Sequence, residues 1–183
     1  MKAIIKQMVN ETINKLKITK ISVMDFDGTL VDTALPETGK IEYEKKTGKV
    51  WPHVGWWSKP ESLDMNVFDM PVINSVVAAY KVEKANPETL CVMMTGRQPK
   101  LQNLVKAILD SKGLVFDKYI YSHGGNTIDS KIKSLNSLLL DYPKTTAVEL
   151  WDDRTEHISS FEAWGNSHPE LKFRINLVPG NHH

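Results

Sequence analysis

The sequence has little cysteine, little net charge and no long hydrophobic run. Its 183 residues contain one cysteine, and 23 Lys and Arg stand against 22 Asp and Glu, which leaves a formal net charge of +1. A lone cysteine cannot form an internal disulfide, and the apolar run at residues 90–94 predicts that Cys91 is buried in a protein of the reducing cytoplasm. The near-zero charge excludes a global field that would hold the chain on nucleic acid or an anionic membrane. No stretch approaches the about 18 apolar residues of a membrane span, so we expect no membrane contact.

What is present is an alternation of β-like runs and amphipathic helical segments. Predicted strands cover residues 21–26, 89–95, 116–121, 147–151 and 171–178, and predicted helices cover residues 72–82, 100–111, 132–142 and 157–164. Parallel strands need long crossover connections, so this alternation predicts an α/β fold with a five-stranded parallel, doubly wound sheet. We expect residues 1–183 to form one domain, with Asn181-His182-His183 as a disordered tail.

Two segments lie outside the alternation. Residues 1–19 contain an amphipathic helix at residues 3–17, whose apolar residues favour a packing role and whose lysines leave contact with a polyanion open. Residues 33–70 are punctuated by proline and glycine and contain Trp51, Trp56 and Trp57. We expect this insertion after the first strand to be a lid over the functional site. Its tryptophans favour packing, with stacking on a nucleobase as the alternative.

Polar residues follow the predicted strands at the edge where open α/β sheets bind ligands. They are Asp25, Asp27, Gly28 and Thr29 after the first strand, Thr95, Gly96 and Arg97 after the second, Lys131 near a helix start, and Asp152 and Asp153 after the fourth strand. Carboxylates, a hydroxyl and one or two cations at one sheet edge are the inventory of a phosphoryl-transfer site with a hard metal ion. The cofactor that we expect is Mg²⁺.

The two carboxylates after the first strand can divide the work of phosphate-ester hydrolysis. Asp25 would act as nucleophile, and Asp27 would protonate the leaving oxygen and then activate water. Thr95 would donate a hydroxyl hydrogen bond, and Lys131 would supply a point charge that also holds Asp25. Gly28 would permit a tight turn that exposes backbone N–H groups to phosphate oxygens. We expect the substrate to be contacted by Gly28, Thr29, Gly96 and Arg97.

The remaining polar residues serve the metal or the edge of the site. Asp152 and Asp153 offer the carboxylate oxygens that Mg²⁺ prefers. Arg97 either contacts substrate or pairs with a carboxylate, and Arg154 is expected to pair with nearby acidic groups. The position of His157 favours a role in packing or at the edge of the site over a role as a metal ligand. His123 is a weaker candidate for phosphate contact.

Four of these elements resemble the motifs of a known family. The run Asp-Phe-Asp-Gly-Thr-Leu-Val at residues 25–31 is similar to the first motif of the haloacid dehalogenase (HAD) superfamily of phosphohydrolases. Residues 95–97 resemble the second motif, Lys131 the third and the Asp152-Asp153 pair the fourth, in the family's order. The resemblance covers about residues 20–177 and implies a Rossmann-like HAD core, Mg²⁺ dependence and a phosphoaspartate on Asp25. It also implies that Asp25, the backbone carbonyl of Asp27, Asp152 and Asp153 hold the metal.

A narrower resemblance concerns nucleic-acid repair. The Asp-Asp-Arg of residues 152–154, followed by His157, Phe161 and Trp164, is similar to the fourth motif of polynucleotide kinase 3′-phosphatases and of the HAD domain of Swiss Army Knife RNA repair proteins. Trp56-Trp57 with Pro60, residues 114–117, and Thr127 four residues before Lys131 also resemble the latter. That spacing favours Lys131 over its rival Lys133, since two lysines two residues apart on a helix cannot both point into one site. No kinase loop Gly-x-x-x-x-Gly-Lys-Ser/Thr is present, which excludes a kinase half in these residues.

These features predict a Mg²⁺-dependent phosphomonoesterase that works through an aspartyl-phosphate. Its substrate would be a nucleotide or the terminal 3′-phosphate of a nucleic acid. The neutral charge and compact lid favour a small nucleotide, whereas the Asp-Asp-Arg motif favours a nucleic-acid end. The alternative is a non-catalytic module that binds phosphate or an RNA end within a repair complex. No stable protein partner is expected from the sequence.

Overall fold

The computed structural model describes residues 1–180, so the prediction of a tail at residues 181–183 lies outside the described residues. The strands are β1 (Lys20–Met24), β2 (Thr89–Met94), β3 (Lys118–Ile120), β4 (Ala147–Asp152) and β5 (Lys172–Leu177). The helices are α1 (Lys2–Lys17), α2 (Pro36–Thr47), α3 (Asn74–Lys84), α4 (Gln102–Ser111), α5 (Thr127–Asp141) and α6 (Thr155–Asn166), with short 3-10 helices at Pro60–Leu63 and Pro99–Leu101.

The five strands form one parallel sheet in the order β3-β2-β1-β4-β5. Lys20 at the start of β1 lies opposite Thr89 of β2 on one side and Ala147 of β4 on the other. The chain builds outward from β1 to β3, returns to the centre and then builds outward through β4 to β5. The strand order therefore reverses at β1, and the carboxyl ends of strands at such a switch point form a ligand-binding crevice. The predicted five-stranded, parallel, doubly wound sheet is confirmed.

Hydrophobic residues cover both faces of this sheet, as the short and almost continuously apolar strands require. One cluster joins the β-strand residues Met24 and Met93 to helices α3 and α4, and it includes the buried Cys91 and Trp151. The other cluster joins the opposite face to α5 and α6. Cys91 and Trp151 thus occupy the core positions that their apolar surroundings predict.

The insertion at residues 33–70 packs on the α3–α4 face through its aromatic side chains. Trp56 is 3% exposed, its indole N–H donates to the Ala34 carbonyl at 3.1 Å, and its ring centroid lies 4.6 Å from that of Trp51. Gly39 of α2 lies against Trp56, and a Cβ added there would overlap the Trp56 ring. Trp56 is therefore a packing residue, as favoured above. The function of the insertion as a lid stays a prediction.

Helix α1 contributes no buried residue. Its large apolar side chains, among them Ile4 (63% exposed) and Met8 (61%), lie at the surface. The α1 residues that border a cleft toward the sheet are the polar Glu11, Asn14 and Lys15. The expected packing role is thus not what the structure shows. None of the helices in residues 1–180 is long and apolar enough to cross a bilayer.

Candidate active site

The chain turns sharply after β1 and leaves Asp25 and Asp27 at the carboxyl edge of the central strand. Gly28 adopts a left-handed conformation with φ 68°, which favours glycine. Its N–H donates to the Val31 carbonyl at 2.8 Å, and the Leu30 N–H donates to the Asp25 carbonyl at 3.2 Å. The tight turn is therefore present. The Gly28 N–H itself closes the turn, and contact between the backbone of this turn and a phosphate stays a prediction.

Three buried carboxylates meet at the switch point of the sheet. Oxygens of Asp25, Asp152 and Asp153 lie within 4.8 Å of one another. Lys131, from the first turns of α5, places its Nζ 3.1 Å from Asp25 Oδ1 and 2.6 Å from Asp152 Oδ2. The buried Thr29 hydroxyl lies 3.5 Å from Asp153 Oδ1. The structure thus brings together residues that come from three distant segments of the chain.

Lys133, the rival lysine, is exposed and lies away from this cluster. Lys133 lies two residues after Lys131 in α5, so the two side chains leave the helix about 200° apart around its axis. The lysine of the site is therefore Lys131, as the spacing from Thr127 favours.

The charges of the cluster do not balance without a cation. Burial raises the pKa of Asp25 to about 7 against the lowering effect of Lys131, and burial together with the neighbouring Asp152 raises the pKa of Asp153 to about 7. Burial also acts to raise the pKa of Asp152, but the charge of Lys131 and the surrounding hydrogen bonds outweigh it and hold this pKa below its usual value. Burial acts to lower the pKa of Lys131, yet Asp25 and Asp152 outweigh it and raise this pKa to about 12. Three carboxylates against one ammonium leave two uncompensated negative charges when all are ionised.

The donor set of this cluster fits a divalent hard cation. Asp153 Oδ2 is buried and accepts no hydrogen bond from any residue among 1–180. An unpartnered buried carboxylate oxygen is costly, and a bound cation removes that cost. Oxygen ligands alone, with room for water and phosphate, are the environment that Mg²⁺ prefers. The Asp27 side chain is outside this group, which leaves only its backbone carbonyl for the ligand role that the resemblance implies.

Asp27 instead faces Arg97, which is 3% exposed. Arg97 Nε lies 3.0 Å from Asp27 Oδ2 and its Nη2 lies 2.7 Å from Asp27 Oδ1. The Thr33 hydroxyl donates to the same Oδ1 at 2.7 Å. Arg97 Nη1 donates to the Trp57 carbonyl at 2.9 Å and to the Ser62 hydroxyl at 2.7 Å. Of the two interpretations of Arg97, carboxylate pairing is thus the one that the geometry shows.

A pocket of about 210 Å³ opens at this edge of the sheet. It is lined by Asp25, Asp27, Trp57, Gly96, Arg97, Thr127, Lys131 and Arg154. The half-buried Trp57 ring stacks over the Arg97 guanidinium at 5.2 Å, so the insertion forms part of the pocket wall. A Cβ added to Gly96 would lie 2.8 Å from Thr127 Cγ2, and only glycine allows α5 to approach the end of β2 this closely.

The other predicted site residues take supporting positions. The buried Thr95 hydroxyl oxygen accepts a hydrogen bond from the Arg97 N–H at 3.1 Å, which leaves its proton to donate. His157 is buried with Nδ1 3.4 Å from Asp152 Oδ1, at the edge of the cluster. Arg154 lines the pocket and lies 3.6 Å from Glu156, while His123 is exposed and lines a neighbouring groove.

Sequence reasoning missed Ser62 and Thr33, the hydroxyl residues that complete the environment of the Asp27–Arg97 pair. Both lie in the insertion, where no periodic pattern marks a side chain that points inward. The spacing of Thr127 from Lys131 does not predict its methyl contact with the Gly96 position, because that contact depends on how α5 packs.

The fold resembles several solved structures at low sequence identity. A chain of the Pnkp1/Rnl/Hen1 RNA repair complex is 15% identical with a TM-score of 0.55, and the match covers 91% of this chain and 44% of that one. The HAD domain of the Legionella pneumophila effector Lem4 is 13% identical with a TM-score of 0.51 and coverages of 91% and 89%. A haloacid dehalogenase-like hydrolase from Streptococcus pneumoniae is 12% identical with a TM-score of 0.53 and coverages of 87% and 94%. These likenesses show a HAD fold, and this chain spans about half the length of the repair-complex chains that it matches.

A family comparison is more specific. The family described as HAD domain family 1 in Swiss Army Knife RNA repair proteins matches residues 46–179. The match begins after Asp25 and Asp27. The first motif therefore lies outside the matched residues, and its assignment depends only on the resemblance of residues 25–31. The match covers Lys131 and the acidic pair at the end of β4, and it extends over most of the chain. The protein therefore belongs to HAD domain family 1 of the Swiss Army Knife RNA repair proteins.

Proposed function

We propose that the protein is a Mg²⁺-dependent phosphomonoesterase that works through an aspartyl-phosphate on Asp25. The observation that carries this proposal is the position of Asp25, buried between Lys131 and the Asp152–Asp153 pair at a pocket that also holds Asp27. We infer that its substrate is the terminal phosphate of a nucleotide or of a nucleic-acid end. The 3′-phosphate of an oligonucleotide is the favoured form, because family membership and the Asp-Asp-Arg motif both point to end repair.

The residues of the pocket can carry out both halves of the reaction. Asp25 attacks phosphorus, the P–O bond to the leaving group breaks, and Asp27 gives its proton to the leaving oxygen. Asp27 then removes a proton from the water that attacks the phosphorus of the aspartyl-phosphate, the bond between Asp25 and phosphorus breaks, and inorganic phosphate leaves, which restores Asp25. Lys131 offsets negative charge on Asp25 and the transferred group, and Thr95 offers its hydroxyl proton. Mg²⁺ held by Asp25, Asp152 and Asp153 would supply charge neutralisation and polarise the phosphoryl group.

Arg97 and the insertion would orient Asp27 for this work. Two guanidinium nitrogens hold both Asp27 oxygens, while the third reaches the Trp57 carbonyl and the Ser62 hydroxyl. A planar guanidinium fixes a carboxylate in angle as well as distance. Movement of the insertion would therefore disturb the acid and base of the reaction. The lid prediction for residues 33–70 therefore implies that movement of this segment changes the orientation of Asp27.

The size of the pocket bears on the substrate. At about 210 Å³ it is smaller than the about 300–1,000 Å³ of sites that enclose a whole small molecule. It suits a phosphoryl group whose organic part remains outside. A terminal phosphate on a larger molecule meets this condition, whether that molecule is a mononucleotide or an oligonucleotide.

The first test is hydrolysis of para-nitrophenyl phosphate and of 3′- and 5′-phosphorylated oligonucleotides, with and without Mg²⁺. We expect turnover only with the metal, and Asp25→Asn should lower kcat on the order of 10³-fold or more because it removes the nucleophile. Labelled phosphate should be trapped on the wild type after acid quench and not on Asp25→Asn. Asp110→Asn, at an exposed position of α4, is the matched control and should behave as wild type.

Two outcomes would count against the proposal. Absence of turnover on every phosphomonoester with Mg²⁺, Mn²⁺ and Ca²⁺ would overturn it. Binding of a 3′-phosphorylated oligonucleotide without turnover would instead support the non-catalytic end-binding module.

Metal binding can be tested without activity. Because a ligand that binds only the folded state stabilises it by RT ln(1 + [L]/Kd), Mg²⁺ at about 100 times its Kd should add about 2.7 kcal/mol to the free energy of unfolding. Asp153→Asn should remove most of this gain, since it replaces the carboxylate whose Oδ2 lacks a partner. Thermal unfolding with Mg²⁺ and with EDTA measures the difference. An equal Mg²⁺ effect in wild type and Asp153→Asn would exclude Asp153 as a ligand.

A further inference from the structure

A second cavity, of about 500 Å³, lies beside the catalytic pocket between β3 and α5. We call it the α5 groove. Its α5 wall includes Asp129, Ser130, Lys133, Ser134, Ser137 and Asp141. The lining residues on α5 repeat at intervals of three or four positions, so they lie on one face of the helix. This face forms one wall of the groove along its whole length. β3 is an edge strand of the sheet and lies along the other side.

The α5 groove begins where the catalytic pocket ends. Thr127 and Lys131 line the catalytic pocket, whereas their chain neighbours Asn126 and Ser130 line the groove. Both linings therefore include residues of the first turns of α5. A molecule with its phosphate at Asp25 can therefore continue over these turns into the groove. The small volume of the catalytic pocket requires the rest of a substrate to lie outside it, and the groove is the adjoining space.

The lining of the groove is polar but close to neutral. Asn126 and the serines of α5 offer amide and hydroxyl groups that both donate and accept hydrogen bonds, and the half-buried Tyr121 adds an aromatic ring. Such groups suit a sugar and a base more than a row of phosphates. Stacking of a base on an aromatic side chain contributes about 1–3 kcal/mol and tolerates any sequence.

The charged groups of the groove leave one lysine available. Lys118 lies 3.7 Å from Asp141, which offsets its charge. Lys133 is exposed, and within residues 1–180 no carboxylate lies within ion-pair distance of it. The lining also contains His123 and a second acidic residue, Asp129, so the groove has few charges of either sign. This balance fits one phosphodiester rather than several.

We propose that the α5 groove binds the nucleoside that carries the cleaved phosphate together with the next phosphodiester of a single-stranded nucleic acid, with Lys133 on that phosphodiester. The proposal rests on the proposed function and adds to it a preference among substrates. The catalytic pocket alone accepts any phosphomonoester. The groove makes an oligonucleotide with a terminal phosphate a better substrate than a mononucleotide or a simple ester.

The test compares Lys133→Glu with Lys172→Glu, a charge reversal at an exposed lysine on the opposite edge strand. Each is assayed with para-nitrophenyl phosphate, a nucleoside 3′-monophosphate and a 3′-phosphorylated trinucleotide. Lys133→Glu should raise KM about tenfold for the trinucleotide alone, because only that substrate carries a phosphodiester for Lys133 to contact. The slope of log(kcat/KM) against log salt concentration should also become shallower by about 0.7, the contribution of one phosphate in a single strand. Lys172→Glu should change neither.

A second variant tests the space rather than the charge. Ser134→Trp places an indole in the middle of the groove from a half-buried position of α5. It should raise KM for the trinucleotide and leave para-nitrophenyl phosphate unaffected. If both variants leave the trinucleotide KM unchanged, or raise all three KM values alike, the groove does not bind substrate.

Binding measurements separate this proposal from the phosphatase proposal. Fluorescence anisotropy of a labelled 3′-phosphorylated trinucleotide is measured on Asp25→Asn with and without Lys133→Glu. Weaker binding of the double variant supports the groove even if the wild type hydrolyses nothing, in which case only the proposed catalysis fails. Mg²⁺-dependent hydrolysis with equal kcat/KM for the trinucleotide and the mononucleotide retains the phosphatase and overturns the groove.

Discussion

The two aspartates after β1 have different surroundings despite their separation by one residue. Asp25 lies with Lys131 and two further carboxylates, whereas Asp27 lies with Arg97 and the Thr33 hydroxyl. The motif predicts the two carboxylates, and the contacts made by distant residues distinguish them.

Arg97 gives the first prediction at this scale. Arg97→Met keeps much of the side-chain volume but leaves the largely buried Asp27 carboxylate, the Trp57 carbonyl and the Ser62 hydroxyl without their donor. We expect the free energy of unfolding to fall by about 3–5 kcal/mol, the usual cost of breaking a buried pair. Urea denaturation at neutral pH measures it. Arg174→Met, at a side chain that is 74% exposed, is the control and should stay within about 0.5 kcal/mol of wild type. Equal losses in the two variants would contradict the structural role of Arg97.

At the scale of elements, the insertion and α1 behave in opposite ways. Residues 33–70 contribute Trp51, Trp56 and Phe68 to the same hydrophobic cluster as the sheet, so this segment is part of the core on one face. Helix α1 has the regular amphipathic pattern that the insertion lacks, but it contributes no buried residue. Amphipathic spacing shows that a helix can form and which side is apolar, and it does not show whether a partner surface lies within reach.

The insertion is tested by a pair of tryptophan substitutions. Trp56→Ala empties a buried position between Trp51 and Phe68 and should cost about 3–5 kcal/mol of unfolding free energy. Trp57→Ala removes a half-buried ring that stacks on Arg97 and should cost about 1 kcal/mol. Urea denaturation compares the two. A larger loss for Trp57 than for Trp56 would show that the packing of the insertion is assigned to the wrong residue.

Deletion of residues 1–17 tests α1. Because none of these residues is buried, the shortened protein should unfold within about 0.5 kcal/mol of the full chain and keep its activity on para-nitrophenyl phosphate. Thermal unfolding and the phosphatase assay measure both. A stability loss of about 2 kcal/mol or more would mean that α1 packs on the sheet in solution.

At the scale of the whole molecule, nearly balanced charge is distributed unevenly. The carboxyl edge of the sheet gathers buried carboxylates around Lys131, while the opposite part of β1 carries Lys20 between two glutamates. Lys20 Nζ lies 2.8 Å from Glu83 of α3 and 2.7 Å from Glu149 of β4, and so joins three elements. Local fields of this kind do not change the net charge, but they govern how stability depends on pH.

The Lys20 contacts predict a defined pH dependence. Burial acts to raise the pKa of Glu149, but hydrogen bonds from Lys20 and Asn176 outweigh it and lower this pKa. A carboxyl whose pKa is lowered by folding adds stability above its unfolded pKa of about 4.3, and this stability is lost as the pH falls through the folded pKa. Lys20→Met should therefore cost about 1–3 kcal/mol at pH 7 and less at pH 3, where Glu149 becomes protonated. Urea denaturation at both pH values measures the difference, and a loss that grows toward pH 3 would reverse the assigned sign.

Local pattern was sufficient for the strands and helices that form the sheet layers and for most residue types of the site, but it did not predict helix α2 within the insertion. Alternating strands and helices predicted the parallel sheet, because a parallel crossover needs a long connection wherever it occurs. The carboxyl ends of the predicted strands placed Asp25, Thr95 and Asp152 at one edge, since parallel strands end together. These are properties of chain order, and the sequence by itself determined them.

Only the tertiary structure decided which groups touch. The packing of α5 and the insertion against the sheet determines three features of the site. Lys133 is exposed, Arg97 pairs with Asp27, and Trp57 lies in the pocket wall. The unburied surface of α1 and the groove beside α5 likewise result from distances between elements that are remote in sequence. Spacing along the chain specifies the face that a residue occupies, whereas its partner depends on which other face packs there.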